Sequence, residues 1–345
     1  MNSPRPLLTI LAAILSLGIV GSTAAPPNYV VTKLGTLGDD FGFTIPYGIN
    51  NGGRVVGQFT LDSTPHAFRS FHGMMEDLGT LGGQWAVAHD INSSGVIVGM
   101  SEDSSGNVRP FRYRRGHMED LGIYGYAYAI NNRGDIVGQS SSRAFLFRDG
   151  STRDLGTLGG TFSVASDINE SGTIVGNAGL PNGLGHAFVY ESGVMHDLGT
   201  PGGELGSYAF SINNHGVIVG SAQLPDLRTR AVVFEPGRIH DLGSLGGRES
   251  FAIAINDHGI IVGNSTTAVP SQRQHAFVYT DGVMYDLHDF IVAAEPDADA
   301  VRSSFAHAIN ARGQIAVQAA VQFRGFVSVR GYVLSPRHGG GWKEQ

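Results

Sequence analysis

Seven basic side chains recur at one position in this chain: His66, Arg109, Arg143, His186, Arg230, His275 and Arg330. Placed on a circle they would form a basic ring able to draw an anion. Recurrent acids offer each a local partner instead, since Asp77, Asp120, Asp154, Asp197, Asp241 and Asp286 fall on the next strand-length segment. Two stretches, Asp90-Ile-Asn92-Ser-Ser94-Gly95 and Asp167-Ile-Asn169-Glu-Ser171-Gly172, imitate the opening of an oxygen-ligand calcium loop. Their twelfth positions are Ser101 and Ala178 rather than an acid, and Gly48, Ala129, Ser211, Ala254 and Ala308 replace the leading Asp elsewhere. Nucleophilic catalysis lacks its usual marks, for there is no cysteine and no Gly-x-Ser-x-Gly elbow. Helical His-x-x-x-His metal spacing is absent as well. No catalytic, cofactor-binding or metal residue is therefore expected. An enzyme that gathers unlike polar residues around an axis would escape such a search.

The elements that must position these groups are set by a repeated turn. Ile-Asn, two variable residues and Gly occur seven times, with Asn50 and Gly53, Asn92 and Gly95, Asn131 and Gly134, and Asn169 and Gly172. The remaining copies hold Asn213 and Gly216, Asn256 and Gly259, and Asn310 and Gly313. A type I turn followed by a G1 bulge favours Asn first and needs a left-handed Gly last, so these are structural turn residues. A second Gly-bearing hairpin follows in six copies, ending at Gly73, Gly116, Gly150, Gly193, Gly237 and Gly282. Pro236 stands where a type I turn disfavours proline, so that hairpin should take another form. Between turns lie short runs of β-branched and aromatic residues, and no stretch beyond residue 24 carries sustained helical periodicity.

Four strands and a glycine linker of the Asp-Leu-Gly-Thr-Leu-Gly-Gly kind make one unit. Leu34 and Leu287 lie six units apart, a period of about 42 residues. That period predicts an all-β, seven-bladed β-propeller of four-stranded antiparallel blades. The chain opens on a lone fourth strand, Tyr29–Gly35, and its last unit supplies only three. The last blade should therefore be closed by the N-terminal strand, which pairs two edges otherwise open to aggregation.

Residues 1–24 read as a signal peptide: Arg5, an apolar run from Leu7 to Val20, then Ser22-Thr23-Ala24 before cleavage at Ala25. The expected domains are that signal, a single propeller over 25–335 and a flexible tail over 336–345. Fourteen apolar residues fall short of the ~20 that span a bilayer, so no membrane contact is expected after cleavage. Cleavage takes the formal charge from −7 to −8, which excludes a basic footprint for nucleic acid. Glycine, 50 of 345 residues, suits many tight turns.

The tripeptides His186-Ala-Phe188 and His275-Ala-Phe277, with Asp-Leu-Gly-Thr-Leu-Gly-Gly and Ile-Asn…Gly…Ile-Val-Gly around them, resemble the HAF-repeat family of bacterial extracellular proteins. The resemblance covers about residues 29–335. It implies an exported, β-rich protein and carries over no catalytic residue. Arg109-Pro-Phe111 and Arg230-Ala-Val232 depart from the tripeptide as repeats drift.

The expected function is a secreted or periplasmic, non-catalytic binding or scaffold module, monomeric and without cofactor. Its partner is an unknown protein or glycan. Inter-unit linkers and the strand two to three connections share one face and vary most, so recognition is expected there. The alternatives are a hydrolase or lyase with an axial site, and a calcium-dependent adhesion module.

Overall fold

The structure, a computed structural model, describes residues 26–37, 42–202, 205–235 and 237–337. The signal segment and the turn at Pro236 lie outside the described residues. Among those residues the chain forms 28 strands and one short helix. The first complete meander is typical: Thr44–Ile49, Val55–Leu61, Thr64–Phe71 and Met74–Asp77, paired antiparallel in chain order. Five such four-stranded sheets are separate. An eight-stranded sheet consists of two more meanders joined through one parallel pair, Thr229 with Glu249.

Position within the meander explains the strand chemistry. Second strands are covered on both sides by neighbouring sheets, so Ile97, Ile136, Ile174 and Ile315 are fully buried. Fourth strands form the outer edge and are polar; Ser151–Asp154 is exposed throughout. The tripeptide phenylalanines Phe68, Phe111, Phe145, Phe188 and Phe277 are at most 2% exposed. The apolar clusters straddle successive units: Val56, Ala67 and Leu78 pack against Ala86, Ile97 and Phe111 of the next. No sheet could bury its faces alone.

The N-terminal strand Tyr29–Lys33 pairs with Phe326–Pro336, which runs on to Ile315–Phe323 and Ala300–Ile309 in one sheet. Its register runs from Tyr29 opposite Pro336 to Lys33 opposite Tyr332. Pairing extends slightly past the expected boundary at 335, since the Arg337 N–H donates to the Asn28 carbonyl at 3.0 Å. Pro336 and Arg337, the first two residues of the expected tail, thus belong to this seam, and residues 338–345 are outside the described part.

Where the last unit lacks its glycine linker, the chain forms helix α1 (His288–Ala294). Seven residues make two turns, too short for the periodicity that marks a helix in sequence. Strands absorb part of each strand two to three connection, leaving Ser141-Ser142 in one unit and residues 180–184, 224–228 and 268–273 in the three longest.

Candidate functional site

Every Asn-x-x-Gly turn has the expected hydrogen bonds. In the first, the Gly53 N–H donates to the Asn50 carbonyl at 2.9 Å and the Asn50 N–H to the Arg54 carbonyl at 3.0 Å. The Asn50 Oδ1 accepts from the Gly52 and Arg54 N–H groups at 3.0 Å each. The amide has a further role that turn chemistry does not require. Asn50 Nδ2 donates to the Asn92 carbonyl of the next unit at 3.1 Å, Asn92 to Asn131 at 3.2 Å and Asn131 to Asn169 at 3.2 Å. The series continues from Asn169 to Asn213, Asn213 to Asn256 and Asn256 to Asn310. Asn310 then donates to Asn50 at 2.9 Å, and the circuit is complete. Aspartate would satisfy the turn but has no Nδ2 donor. The unbroken choice of Asn in seven copies was the sequence signal for this role.

A second, interrupted polar circle accompanies the first. In five of the seven units the residue after the Asn offers its N–H to the matching side chain one unit on: Ser93 to Asn132, Asn132 to Glu170, Glu170 to Asn214, Asn214 to Asp257 and Ala311 to Asn51. Together the circles frame an axial mouth of about 190 Å³, lined by all seven Ile-Asn segments and the residues that follow them.

Deeper along the axis, all seven first strands bulge at one place. Pairing skips Tyr47, His89, Tyr128, Ser166, Phe210, Ile253 and His307. Six second strands carry Gly opposite; a Cβ on Gly57 would collide with the Ile45 carbonyl. The close approach of those two backbones is what the missing side chain permits. The extra residues of adjacent units touch one another. Tyr47 stacks on His89 at 5.4 Å and meets His307 edge-on at 5.5 Å, while His89 meets Tyr128 at 5.3 Å. Burial pushes His89 and His307 down to about 4, and Nε2 of each is sealed without a partner.

Asp90 and Asp167, the residues of the calcium-like motif, follow this bulge. Asp90 accepts from its own Ile91 N–H at 2.7 Å and from Ile130 of the next unit at 2.9 Å. Asp167 accepts from Ile168, Ile212 and the Ser211 hydroxyl at 2.7, 2.9 and 2.8 Å. Burial pushes Asp90 up to about 6 and Asp167 in the same direction. Donors from two units converge on these oxygens, an arrangement for tying first strands together rather than for ligating a cation.

The seven recurring basic residues lie at the other end of the blades, in the first half of each third strand. His66, His186 and His275 meet Asp77, Asp197 and Asp286 through Nδ1 at 3.0, 3.0 and 2.7 Å. Arg143 meets Asp154 at 3.2 Å, and Arg330 meets Glu295 at 3.1 Å. Arg109 prefers Asp103 at 2.9 Å over Asp120 at 4.0 Å. The Asn107 N–H and the Arg109 guanidinium hold the Asp103 carboxyl well below the usual range. Among the described residues Arg230 has no ion-pair partner, and it donates to the Arg248 and Thr229 carbonyls. The fourth-strand acids also close the linker turns, as Asp77 does by accepting from the Gly79 N–H at 2.9 Å. Positive charge on this circle is thus offset by a carboxylate at six of its seven residues.

One pair looks catalytic in isolation. His288 Nδ1 lies 3.1 Å from Ser304 Oγ, with His288 stacked on His275 at 3.8 Å. The repeats provide the control. Ser163, Ser207 and Ser250 occupy the same position, and each accepts from a third-strand N–H and donates to a linker glycine carbonyl. Ser304 accepts likewise from Ala276 at 3.0 Å, and His288 stands where the missing glycine would be. Ser304 is fully buried, so the pair is scaffold.

Exposed apolar side chains divide by origin. Phe43, Leu61, Tyr124, Tyr208, Leu227 and Val269 are 37–76% exposed on the face of linkers and two to three connections, where unit lengths differ. Tyr124 is covered on one side by Arg109, 3.9 Å from its ring centre. On the opposite face Met74, Val194 and Val283 share one repeated hairpin position at the outer edge. Trp85 is half-buried at the start of its unit.

No family model matches the chain, and no curated protein matches it in sequence. Solved structures share its fold at low identity, among them two domains. The β-propeller domain of the Trilobed protease from Pyrococcus furiosus, described as having an open velcro topology, is 8% identical with a TM-score of 0.57. The match covers 90% of this chain and all of that one. The extracellular domain of a protein assigned as a one-component system in B. thetaiotaomicron is 10% identical with a TM-score of 0.53. That match covers 88% of this chain, which spans only 39% of the other. With its four-stranded antiparallel sheets, the chain is similar in fold to β-propellers.

Proposed function

We propose that the chain is an exported, seven-bladed propeller of the HAF-repeat type that acts as a non-catalytic binding module. It takes a protein or glycan partner on its linker face. The blade count rests on the five separate sheets, the two meanders of the eight-stranded sheet and the seven-step asparagine circuit. The observation that carries the binding reading is the concentration of exposed Phe43, Tyr124, Leu227 and Val269 in segments that vary between units. Side chains exposed by scaffold geometry recur at one repeat position, as Met74, Val194 and Val283 do; these do not.

The test is a glycan array and an envelope pull-down with residues 25–345, alongside two triple variants. Y124A/L227A/V269A should lose the captured partner, and M74A/V194A/V283A should keep it. Equal capture by both variants would refute the linker-face assignment.

A second reading has one specific observation in its favour. His89, Tyr47, Tyr128 and His307 bring unlike polar groups to the axis, as a hydrolase or lyase site would. Their sealed Nε2 atoms and the occupied oxygens of Asp90 and Asp167 argue against it. Turnover of a glycoside or ester panel that is abolished in H89A would reverse the ranking.

A further inference from the structure

Side chains two residues before each bulge residue form another circle around the axis, nearer the linkers. Their register repeats in all seven units, from Ile45 opposite Gln58 to Phe305 opposite Gln318. Tyr126 stacks on the bulge residue Tyr128, and Tyr208 on Phe210, each at 6.1 Å. Both circles therefore present side chains to the same side of their strands, toward the axis. Tyr208 is 47% exposed, and Tyr47, Tyr128, Phe210 and Ile253 below the mouth are part-exposed. A pit thus descends from the linker face to the level of the bulges.

The walls of this pit are unlike. The fifth to seventh units bring Tyr208, Phe251 and Phe305 at the mouth, with Phe210 and Ile253 below, an almost wholly apolar arc. The first four units bring Tyr47, His89, Tyr126, Tyr128 and Ser166. The hydroxyls of Tyr47, Tyr126 and Tyr128 make no hydrogen bond to any described residue. Burial nevertheless raises the pKa of Tyr47 and Tyr128, and the neighbouring Tyr126 hydroxyl adds to the second. Hydroxyls withdrawn from water in this way call for a partner from outside the chain. Neither circle carries a formal charge at neutral pH, since burial keeps His89 and His307 neutral.

We infer that this axial pit binds one uncharged pyranose unit of a glycan. Such a ring has an apolar C–H face, which suits Phe210 and Phe251, and a hydroxyl-bearing edge, which suits the three tyrosine hydroxyls. An apolar peptide side chain would fill the pit but leave those hydroxyls covered and unpaired. A charged sugar would lose its hydration with no opposite charge to replace it. The inference rests on the linker-face reading above and deepens its glycan arm, with the pit as the place where the sugar is held.

Calorimetric titration of residues 25–345 with methyl β-glucoside, methyl β-galactoside and methyl α-mannoside tests this. Glucuronate is the charged control and N-acetyltyrosinamide the peptide control. At least one methyl glycoside should bind, and neither control should. Tyr128→Phe removes one hydroxyl, keeps the ring on Tyr126, and should weaken that glycoside about fivefold or more with an unchanged melting curve. Phe210→Ala should weaken it about tenfold or more, and Met74→Ala on the opposite face should leave it unchanged. Y124A/L227A/V269A should keep the glycoside while losing the captured partner, which separates the pit from its rim. Rim-dependent capture with no glycoside bound overturns the pit and spares the linker-face reading. Control binding equal to that of the glycosides, or full affinity in Tyr128→Phe, also overturns the inference.

Discussion

Asn310→Asp isolates the circular link from the turn that bears it. Asn310 is 3% exposed and makes four side-chain hydrogen bonds. Its Oδ1 accepts from Arg312 and Gln314 N–H groups at 3.0 Å, and its Nδ2 donates to the Asn50 carbonyl and to Gln314 Oε1, both at 2.9 Å. Aspartate keeps the two acceptor bonds, so the turn survives. It turns a carboxylate oxygen toward two other oxygens and loses two buried donor bonds. At about 1 kcal/mol net per bond, plus a buried acceptor facing another acceptor, the expected loss is about 2–4 kcal/mol. Urea unfolding at pH 7.5 would measure it directly, and the melting temperature should fall by several degrees. The pH dependence is the specific signature. Burial raises the folded-state pKa of the new carboxyl above its unfolded ~3.9, so the protonated form is the stabilising one. The deficit relative to the parent should be full at pH 7.5 and shrink as pH falls through the raised pKa, because the acid can again donate to Asn50. Parent-like stability at pH 7.5 would refute the idea that the amide circuit contributes to closure.

Other perturbations follow from the same structure. Glu295, 2% exposed, receives Lys33 at 3.0 Å, Arg330 at 3.1 Å and the Tyr332 hydroxyl at 2.8 Å. Glu295→Ala should cost about 2–4 kcal/mol in urea unfolding, with both cations partly rescued by solvent. Gly176→Ala sets a methyl against the Val164 carbonyl and the Phe188 ring, and should destabilise by at least about 2 kcal/mol, whereas Gly206→Ala, whose methyl would meet only the Gly185 carbonyl at 3.6 Å, should cost far less. His89 and His307 are held neutral down to about 4, so their contribution is complete above the unfolded 6.5 and is lost as pH falls toward 4, about 3 kcal/mol each. Asp90, raised to about 6, works in the opposite sense and offsets about one of them. His307→Phe should therefore flatten the stability loss between pH 6.5 and 4.5, and an unchanged slope would count against the assignment.

Periodic features were legible in the sequence because repetition averages out local ambiguity. Asn-x-x-Gly declared its turns, and the four-strand period declared the sheets. What escaped was chemistry between units, since neither reach nor register is written in one strand. The link from Asn50 to Asn92 spans 42 residues, and the bulge that brings Tyr47 against His89 depends on Gly57 from the adjacent strand. Aligned, the seven first strands hold a position that varies among Tyr, His, Ser, Phe and Ile and follows an Ala in six of the seven. The role of Glu295 was hidden differently, because it lies in the one unit that abandons the repeat.

The seam between Tyr29–Lys33 and Phe326–Pro336 has a kinetic consequence. Every hairpin can form from residues close in sequence, so most of the molecule should assemble quickly and in any order. The joint from Asn310 to Asn50 instead spans 260 residues, and bringing such distant segments together costs about 5 kcal/mol of chain entropy. Circularisation should be the last and slowest event on the folding route, and until it happens two bare strand edges remain available to a neighbouring molecule.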